Sequence, residues 1–281
     1  MKFLIKFSKL FFSLALAISI SFFSFETFAQ SNNQSSKKIT YKKARALQAS
    51  TAKQMALVYK AYERLDDEGK EDPDYETVRR VLTELRADID NLKSYDRSVV
   101  WYQWGYLYII GEDIPNALMA YQKVINEPEV TKGLRESGLL TLAQLHLSQE
   151  SYDKAIQLIL QWMSEVDNVT AQSWSFLGIA YFSKENYRKS LESMETAITM
   201  AEDEGYKPKE NWYTVLAASI NELKSEIGEE NALLRQADIY EILVNLYPKK
   251  QYYLQLGGVY NQLGREKDYM ITLKAAYAKD L

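Results

Sequence analysis

The sequence predicts an all-α protein, a right-handed solenoid of about five to six stacked helical hairpins. Three observations carry that reading. Breakers are scarce, with five Pro and 11 Gly in 281 residues, while Leu, Ala, Glu, Lys and Gln are abundant; such a chain favours helix. A phrase of large, apolar and small residues recurs along the last two thirds of the chain. Its small residues, Gly105, Ala143, Gly178, Ala217 and Gly257, lie 38, 35, 39 and 40 positions apart, a period typical of stacked repeats.

The first element is an address. Lys2, Lys6 and Lys9 precede an uncharged run from Leu10 to Phe25, and Thr27-Phe28-Ala29 places small residues at −3 and −1 of a cleavage point. This is the layout of a secretory leader over residues 1–29. An uncleaved anchor would want an apolar run of about 20 residues, longer than this one. Export implies a periplasmic or secreted protein, with the periplasm as the expectation, and a chain without Cys carries no lipid anchor on that residue. Residues 30–40 read as a polar linker.

Composition excludes whole classes of chemistry. No Cys means no disulfide, thiolate zinc site, iron–sulfur cluster or cysteine nucleophile. One His means no multi-histidine metal site, and a Ser-His-Asp triad would have to use His146. No cofactor motif and no metal-ligand spacing occurs. The acidic stretch Asp66, Asp67, Glu68, Glu71, Asp72 and Asp74 lacks the order of a calcium loop and reads as solvated.

Charge is uneven. Residues 31–62 hold seven basic residues and no acid, Lys37 to Lys60, whereas residues 63–281 hold 24 basic and 37 acidic. The basic arm is either a solvated helix face or a contact for anionic lipid or an acidic partner. The acidic remainder disfavours nucleic acid. Residues 41–97, with helical patterns over Tyr41 to Leu65 and Tyr75 to Leu92, read as an N-terminal helical pair, an atypical repeat or cap.

The array itself occupies residues 98–281. Trp101-x-x-Trp104-Gly105-x-x-Tyr108 is followed by Ala117 and Tyr121; Leu139-x-x-Leu142-Ala143-x-x-His146 by Tyr152, Ala155 and Ile159. Trp174-x-x-Leu177-Gly178-x-x-Tyr181 is followed by Tyr187, Ser190, Met194 and Ala197. Tyr213-x-x-Leu216-Ala217-x-x-Ile220 and Tyr253-x-x-Leu256-Gly257-x-x-Tyr260 complete the set. On a helix these places form one stripe, and a Gly or Ala within it lets a second helix approach closely. The polar stretch from Glu222 to Asn231 predicts an extended loop between the two helices of the fourth unit. The last helix, about Arg265 to Leu281, carries Tyr269, Leu273, Ala276 and Tyr277 with nothing after it to cover them. Either this helix is covered at an interface or the array is truncated at its C-terminus, and truncation is the expectation.

These motifs resemble the tetratricopeptide repeat family, whose unit is a hairpin of about 34 residues. The resemblance implies structural roles for Trp101, Gly105, Tyr108, Ala117, Ala143, Ala155, Trp174, Gly178, Tyr181, Ala217, Gly257 and Tyr260. It also implies a concave groove lined by the first helices, at places two, five, six, nine and twelve of each. Those places hold Tyr102, Gln103, Tyr106 and Ile109; Leu140, Thr141, Gln144 and Leu147; and Gln172, Phe176, Ile179 and Phe182. The last two units add Asn211, Thr214 and Asn221, then Gln251, Gln255 and Asn261. No Lys or Arg is among them, so the basic carboxylate clamp of chaperone-binding relatives is not carried over. Amides suit an extended peptide backbone and aromatics supply apolar pockets. His146 stands where sister units have Tyr108, Tyr181 and Tyr260, which makes it a packing residue.

A narrower resemblance rests on Arg45-Ala46-Leu47-Gln48-Ala49-Ser50-Thr51-Ala52-Lys53, on Val99 through Tyr106, on Asn211-Trp212 and on Tyr247 through Leu256. In that order they are similar to exported repeat proteins of Gram-negative bacteria described as components of a TonB system. It implies a non-enzymatic periplasmic scaffold that serves the TonB–ExbB–ExbD complex. The alternatives are an envelope assembly or secretion factor that binds client peptides, and an envelope glycan hydrolase with paired carboxylates.

Overall fold

The computed structural model describes residues 46–279. The chain divides into two units, Met1–Ala46 and Leu47–Leu281, and all the described helices belong to the second. The leader, the linker and the basic residues up to Arg45 lie outside the described residues. Among the described residues there are thirteen α-helices, no strand, and no helix long and apolar enough to cross a membrane.

The helices pair in sequence order. The first pair is α1 (Ala49–Tyr62) with α2 (Tyr75–Ala87). Next come α3 (Ser94–Ile110) with α4 (Ile114–Asn126), α5 (Lys132–Ser148) with α6 (Tyr152–Glu165), and α7 (Ala171–Ser183) with α8 (Tyr187–Asp203). In the fourth hairpin α9 (Glu210–Glu222) leads through a short α10 (Lys224–Ile227) into α11 (Glu229–Leu246), and α12 (Lys250–Gln262) with α13 (Glu266–Ala278) follows. Each helix packs on its hairpin partner, and the second helix of each hairpin packs on the first helix of the next, so the core runs along a helical solenoid.

The small residues set the crossing inside each hairpin. A Cβ on Gly105 would meet the Tyr121 ring at 2.6 Å, and one on Gly178 would meet Met194 at 2.9 Å. Polar side chains reinforce two crossings: Ser190 Oγ donates to the Gly178 carbonyl at 2.9 Å, and Gln236 Nε2 to that of Ala217 at 3.3 Å. In the last hairpin Tyr269 holds the place that Ala117, Ala155 and Ser190 hold elsewhere. It lies 3.3 Å from a Cβ at Gly257, and α13 buries only Thr272.

The hairpin turns repeat as well. Glu112, Glu150, Glu185 and Gly264 all adopt a left-handed backbone, φ 56°, 57°, 61° and 69°. The amide that follows each one reaches back to the same carbonyl place, for example Asn186 to Tyr181 at 2.9 Å. Such a bond closes the end of a helix and needs one left-handed residue. The expected extended loop at Glu222–Asn231 is different in the structure. Leu223 is buried and Ile227 half-buried, so the pair folds the segment into α10, and Gly228 at φ 92° starts α11 directly.

Ion pairs tie hairpin ends. Arg97 grips Glu127 with two bonds of 2.9 Å, and Arg135 grips Glu165 at 2.7 and 3.0 Å, the same place one unit later. Hydrogen bonds from Arg135 hold the Glu165 carboxyl below its usual pKa. The folded value therefore lies below the unfolded one of about 4.3, so this stabilisation is full above the unfolded value and is lost as pH falls through the folded one. Glu165→Gln is expected to melt lower than the parent at pH 7 and to lose less between about pH 5 and pH 3. Identical acid limbs in a calorimetric pH series would show that this pair contributes nothing to stability.

Candidate functional site

The first helices of successive hairpins lie side by side, α3 on α5 and α7 on α9. Along them the expected groove residues take two kinds of environment. Tyr102, Gln103, Tyr106, Ile109, Leu140, Thr141, Gln144, Gln172, Phe176, Ile179, Phe182, Asn211 and Thr214 are half-buried; Asn221, Gln251, Gln255 and Asn261 are exposed. Leu147 is the exception. It is buried at 5% exposure and offers no surface.

The residues of the repeat stripe lie beneath. Trp101, Gly105, Ala117, Ala143, Ala155, Gly178, Ala217, Gly257 and Tyr260 are buried, and Tyr108, Trp174 and Tyr181 are half-buried. Trp104, Trp162 and Trp212 are buried too. Trp104 Nε1 donates to the Leu82 carbonyl at 3.2 Å, which ties α2 to α3. Four of the five tryptophans are thus core residues, and Trp174 packs half-buried against that core.

Several groove-facing side chains also join one first helix to the next. Gln103 stands beside Tyr59 of α1 and Tyr102 beside Ser137 of α5, and Gln172 of α7 accepts from Lys209 just before α9. At the N-terminal end Tyr62 sits edge-on to Tyr106 at 5.3 Å and to Tyr75 at 6.3 Å, while Tyr102 meets Tyr121 at 5.4 Å. Burial raises the pKa of Tyr59, Tyr102 and Tyr106, so all three stay neutral donors at physiological pH. Phe182 packs edge-on against Tyr187 at 5.4 Å. Tyr59, Tyr75 and Lys209 are not among the residues expected from the sequence. Tyr59 and Tyr62, three residues apart on α1, are the available signal for the first; nothing local marks Lys209.

Elements of a catalytic centre do not assemble around His146. It is half-buried, its Nδ1 is enclosed without a hydrogen-bond partner, and burial together with Lys154 lowers its pKa. A general base is instead oriented by a partner on its second nitrogen. Among the described residues the carboxyl groups with a resolved shift, Asp74, Glu165 and Glu210, all move down. For Glu210 burial pushes upward, and hydrogen bonds from Lys249 and Tyr252 outweigh it. A glycoside hydrolase needs one carboxyl held up. A cleft of about 640 Å³ on α8 is lined by Glu192, Glu195, Asp203 and Glu204, all exposed and solvated. The acidic loop after α1 closes on itself, with Asp66 accepting from the amides of Glu68 and Lys70 at 2.9 and 2.8 Å. Among the described residues no group of three or more His, Asp or Glu could hold a metal ion.

Comparison with known proteins agrees with this architecture. Residues 171–204, the hairpin α7–α8, match the tetratricopeptide repeat model. A crystal structure of MamA protein superposes with a TM-score of 0.52 at 18% identity, over 66% of this chain and 92% of that one. MamA residues 41 to the end from Desulfovibrio magneticus RS-1 give 0.53 at 15% identity, over 72% and 99%. At such identities the likeness concerns the fold. No curated protein sequence matches the chain. Residues 171–204 therefore match a tetratricopeptide repeat, set in a solenoid of helical hairpins.

Proposed function

We propose that the chain is a non-enzymatic adaptor which holds a segment of a partner protein along the face of its first helices. The observation that carries this reading is the division of labour along those helices. Uncharged amides and aromatics at the groove-facing places stay partly open from α3 to α12, above a stripe of small and aromatic residues packed into the core. A rigid, neutral, hydrogen-bonding surface of this length suits an extended peptide or one helix. On the leader sequence we place the protein in the periplasm. On the narrower resemblance we assign it to the TonB–ExbB–ExbD complex as an accessory.

The test is an in-cell crosslink of the tagged chain followed by mass spectrometry of the envelope proteins it captures. TonB, ExbB or ExbD among them is the expected result. Capture restricted to secretion or assembly proteins would overturn the TonB assignment and favour a client-peptide factor. With the partner in hand, Phe182→Ala and Tyr106→Ala are each expected to weaken binding about tenfold, since aromatic anchors carry much of an interface. Both should weaken binding more than they lower the melting point; the reverse order would make them packing residues. Binding should also change little between low and high salt. A steep loss with salt would move the contact to the basic arm.

A further inference from the structure

Tyrosines collect at the α1–α3 end of the groove. Tyr95, Tyr102 and Tyr106 stand seven and four positions apart on α3, which puts them on one line of the helix. At 1.5 Å per residue that line is about 16 Å long. All three side chains are half-buried. Edge-on packing fixes their tilt: Tyr106 meets Tyr62 at 73° and Tyr102 meets Tyr121 at 89°. Tyr59 and Gln103 flank the line. Burial is the main cause that raises the pKa of Tyr95, Tyr102 and Tyr106, so their hydroxyls keep their protons at physiological pH.

Rings in a row, each with a polar tip, select among peptide conformations. A helix satisfies its own carbonyls and leaves such donors nothing to hold. A strand wants a sheet edge to pair with, and the described residues form no sheet. A polyproline II segment has no internal hydrogen bonds, keeps its carbonyls outward and rises about 3.1 Å per residue. Five or six of its residues would cover the line from Tyr95 to Tyr106, and proline rings pack well on aromatic side chains.

Charge marks the Tyr106 end. Residues 60–76 hold eight acids against Lys60, Arg64 and Lys70. Arg64 is paired with Asp72 at 2.5 Å and Lys70 with Glu68 at 2.6 Å, whereas Asp67 and Glu71 are exposed outside these pairs. A backbone bridge between Leu65 and Glu71 holds the loop closed. After burial and Tyr75, the Glu71 carboxylate is a further cause of the raised Tyr106 pKa, which places Glu71 at this end of the line. Resting on the groove reading above, we propose that the α1–α3 end of the groove binds a proline-rich segment of a partner protein in the polyproline II form, with a Lys or Arg beside the prolines facing Glu71. The rings set the conformation, and the loop sets the charge of the flank.

The probe is a labelled peptide of about ten residues with proline at every third place and lysine at both ends. One comparator replaces the prolines by alanine, the other replaces the lysines by glutamate. Fluorescence anisotropy with the purified chain is expected to show each comparator binding at least about tenfold more weakly at low salt. Added salt should close the gap to the glutamate peptide and leave the gap to the alanine peptide. Glu71→Lys should remove the preference for lysine without lowering the melting point, because the side chain is exposed. Tyr106→Ala should weaken the probe, and Phe182→Ala should not, since a peptide of this length seated on α3 does not reach α7. Equal binding of the proline and alanine peptides, no binding of the proline peptide, or indifference to Glu71→Lys or Tyr106→Ala would overturn the proposal. The groove reading is judged separately, by whether envelope crosslinks map to the first helices: crosslinks there together with a stronger alanine peptide would keep the groove and reject polyproline II.

Discussion

Gly105→Leu is expected to lower the thermal midpoint by about 2–12 °C, from an overpacking cost of about 1–3 kcal/mol or more in a chain of this size. The space is already taken. A Cβ at this place lies 2.6 Å from Tyr121 Cε2 and 2.9 Å from two further ring atoms. Tyr121 is 2% exposed and sits at 89° to the Tyr102 ring, so it can neither rotate nor leave without disturbing α3 and α4 together. Gly178→Leu should cost less, because its obstacle is the Met194 side chain, whose thioether has three rotatable bonds. Gly258→Ala is the opposite case. No atom lies within 4 Å of its Cβ, so exchanging Gly for Ala in a helix should stabilise by up to about 1 kcal/mol. Circular dichroism melts of the three variants should rank Gly105→Leu below Gly178→Leu, with Gly258→Ala at or above the parent. A Gly105→Leu chain that melts like the parent would mean that α4 does not cross α3 at Gly105.

That ranking also shows which parts of the molecule are legible in the sequence. Gly105, Gly178 and Gly257 can be read because a crossing imposes a small residue at fixed helical spacing from large ones, and spacing survives in a string of letters. The left-handed turns cannot. Glu112, Glu150 and Glu185 carry no compositional mark of a positive φ; the helix-closing bond to the carbonyl five residues back imposes it. At Glu222–Asn231 polar letters suggest a loop, and two apolar residues, Leu223 and Ile227, decide otherwise. The candidate groove is legible place by place, since each first helix exposes its own stripe. The pairing of Gln103 with Tyr59 and of Lys209 with Gln172 is not, because it depends on which helices become neighbours. Leu147 fails for a related reason: the same helical place is half-buried at Ile109 and Phe182, exposed at Asn221 and Asn261 and buried at Leu147, and the local pattern does not mark the difference.

Asp96 belongs to the illegible part, and its removal is the second large effect expected. The side chain is 1% exposed and lies in the first turn of α3, yet it caps a different helix. Its carboxylate accepts from the Gln48 amide at 3.2 and 3.3 Å and from Thr51 Oγ1 at 2.9 Å, at the start of α1. Gln48 reciprocates, as its Oε1 accepts from the Lys93 amide at 3.1 Å at the start of α3. Each helix start thus satisfies the other across more than forty residues, the reciprocal arrangement that a capping box makes within one helix. Asp96→Ala removes a cap and strands the hydroxyl of fully buried Thr51, for a cost of about 2–4 kcal/mol. Because repeats contact only their neighbours, the loss should stay local. Hydrogen exchange should quicken across α1 and α2 while amides of α7 and α8 keep their protection. Asp96→Asn retains an acceptor oxygen and should recover part of the protection, which separates hydrogen bonding from charge. Uniform loss of protection along the whole chain would show instead that α1 and α2 fold as one cooperative block with the tetratricopeptide repeat at 171–204.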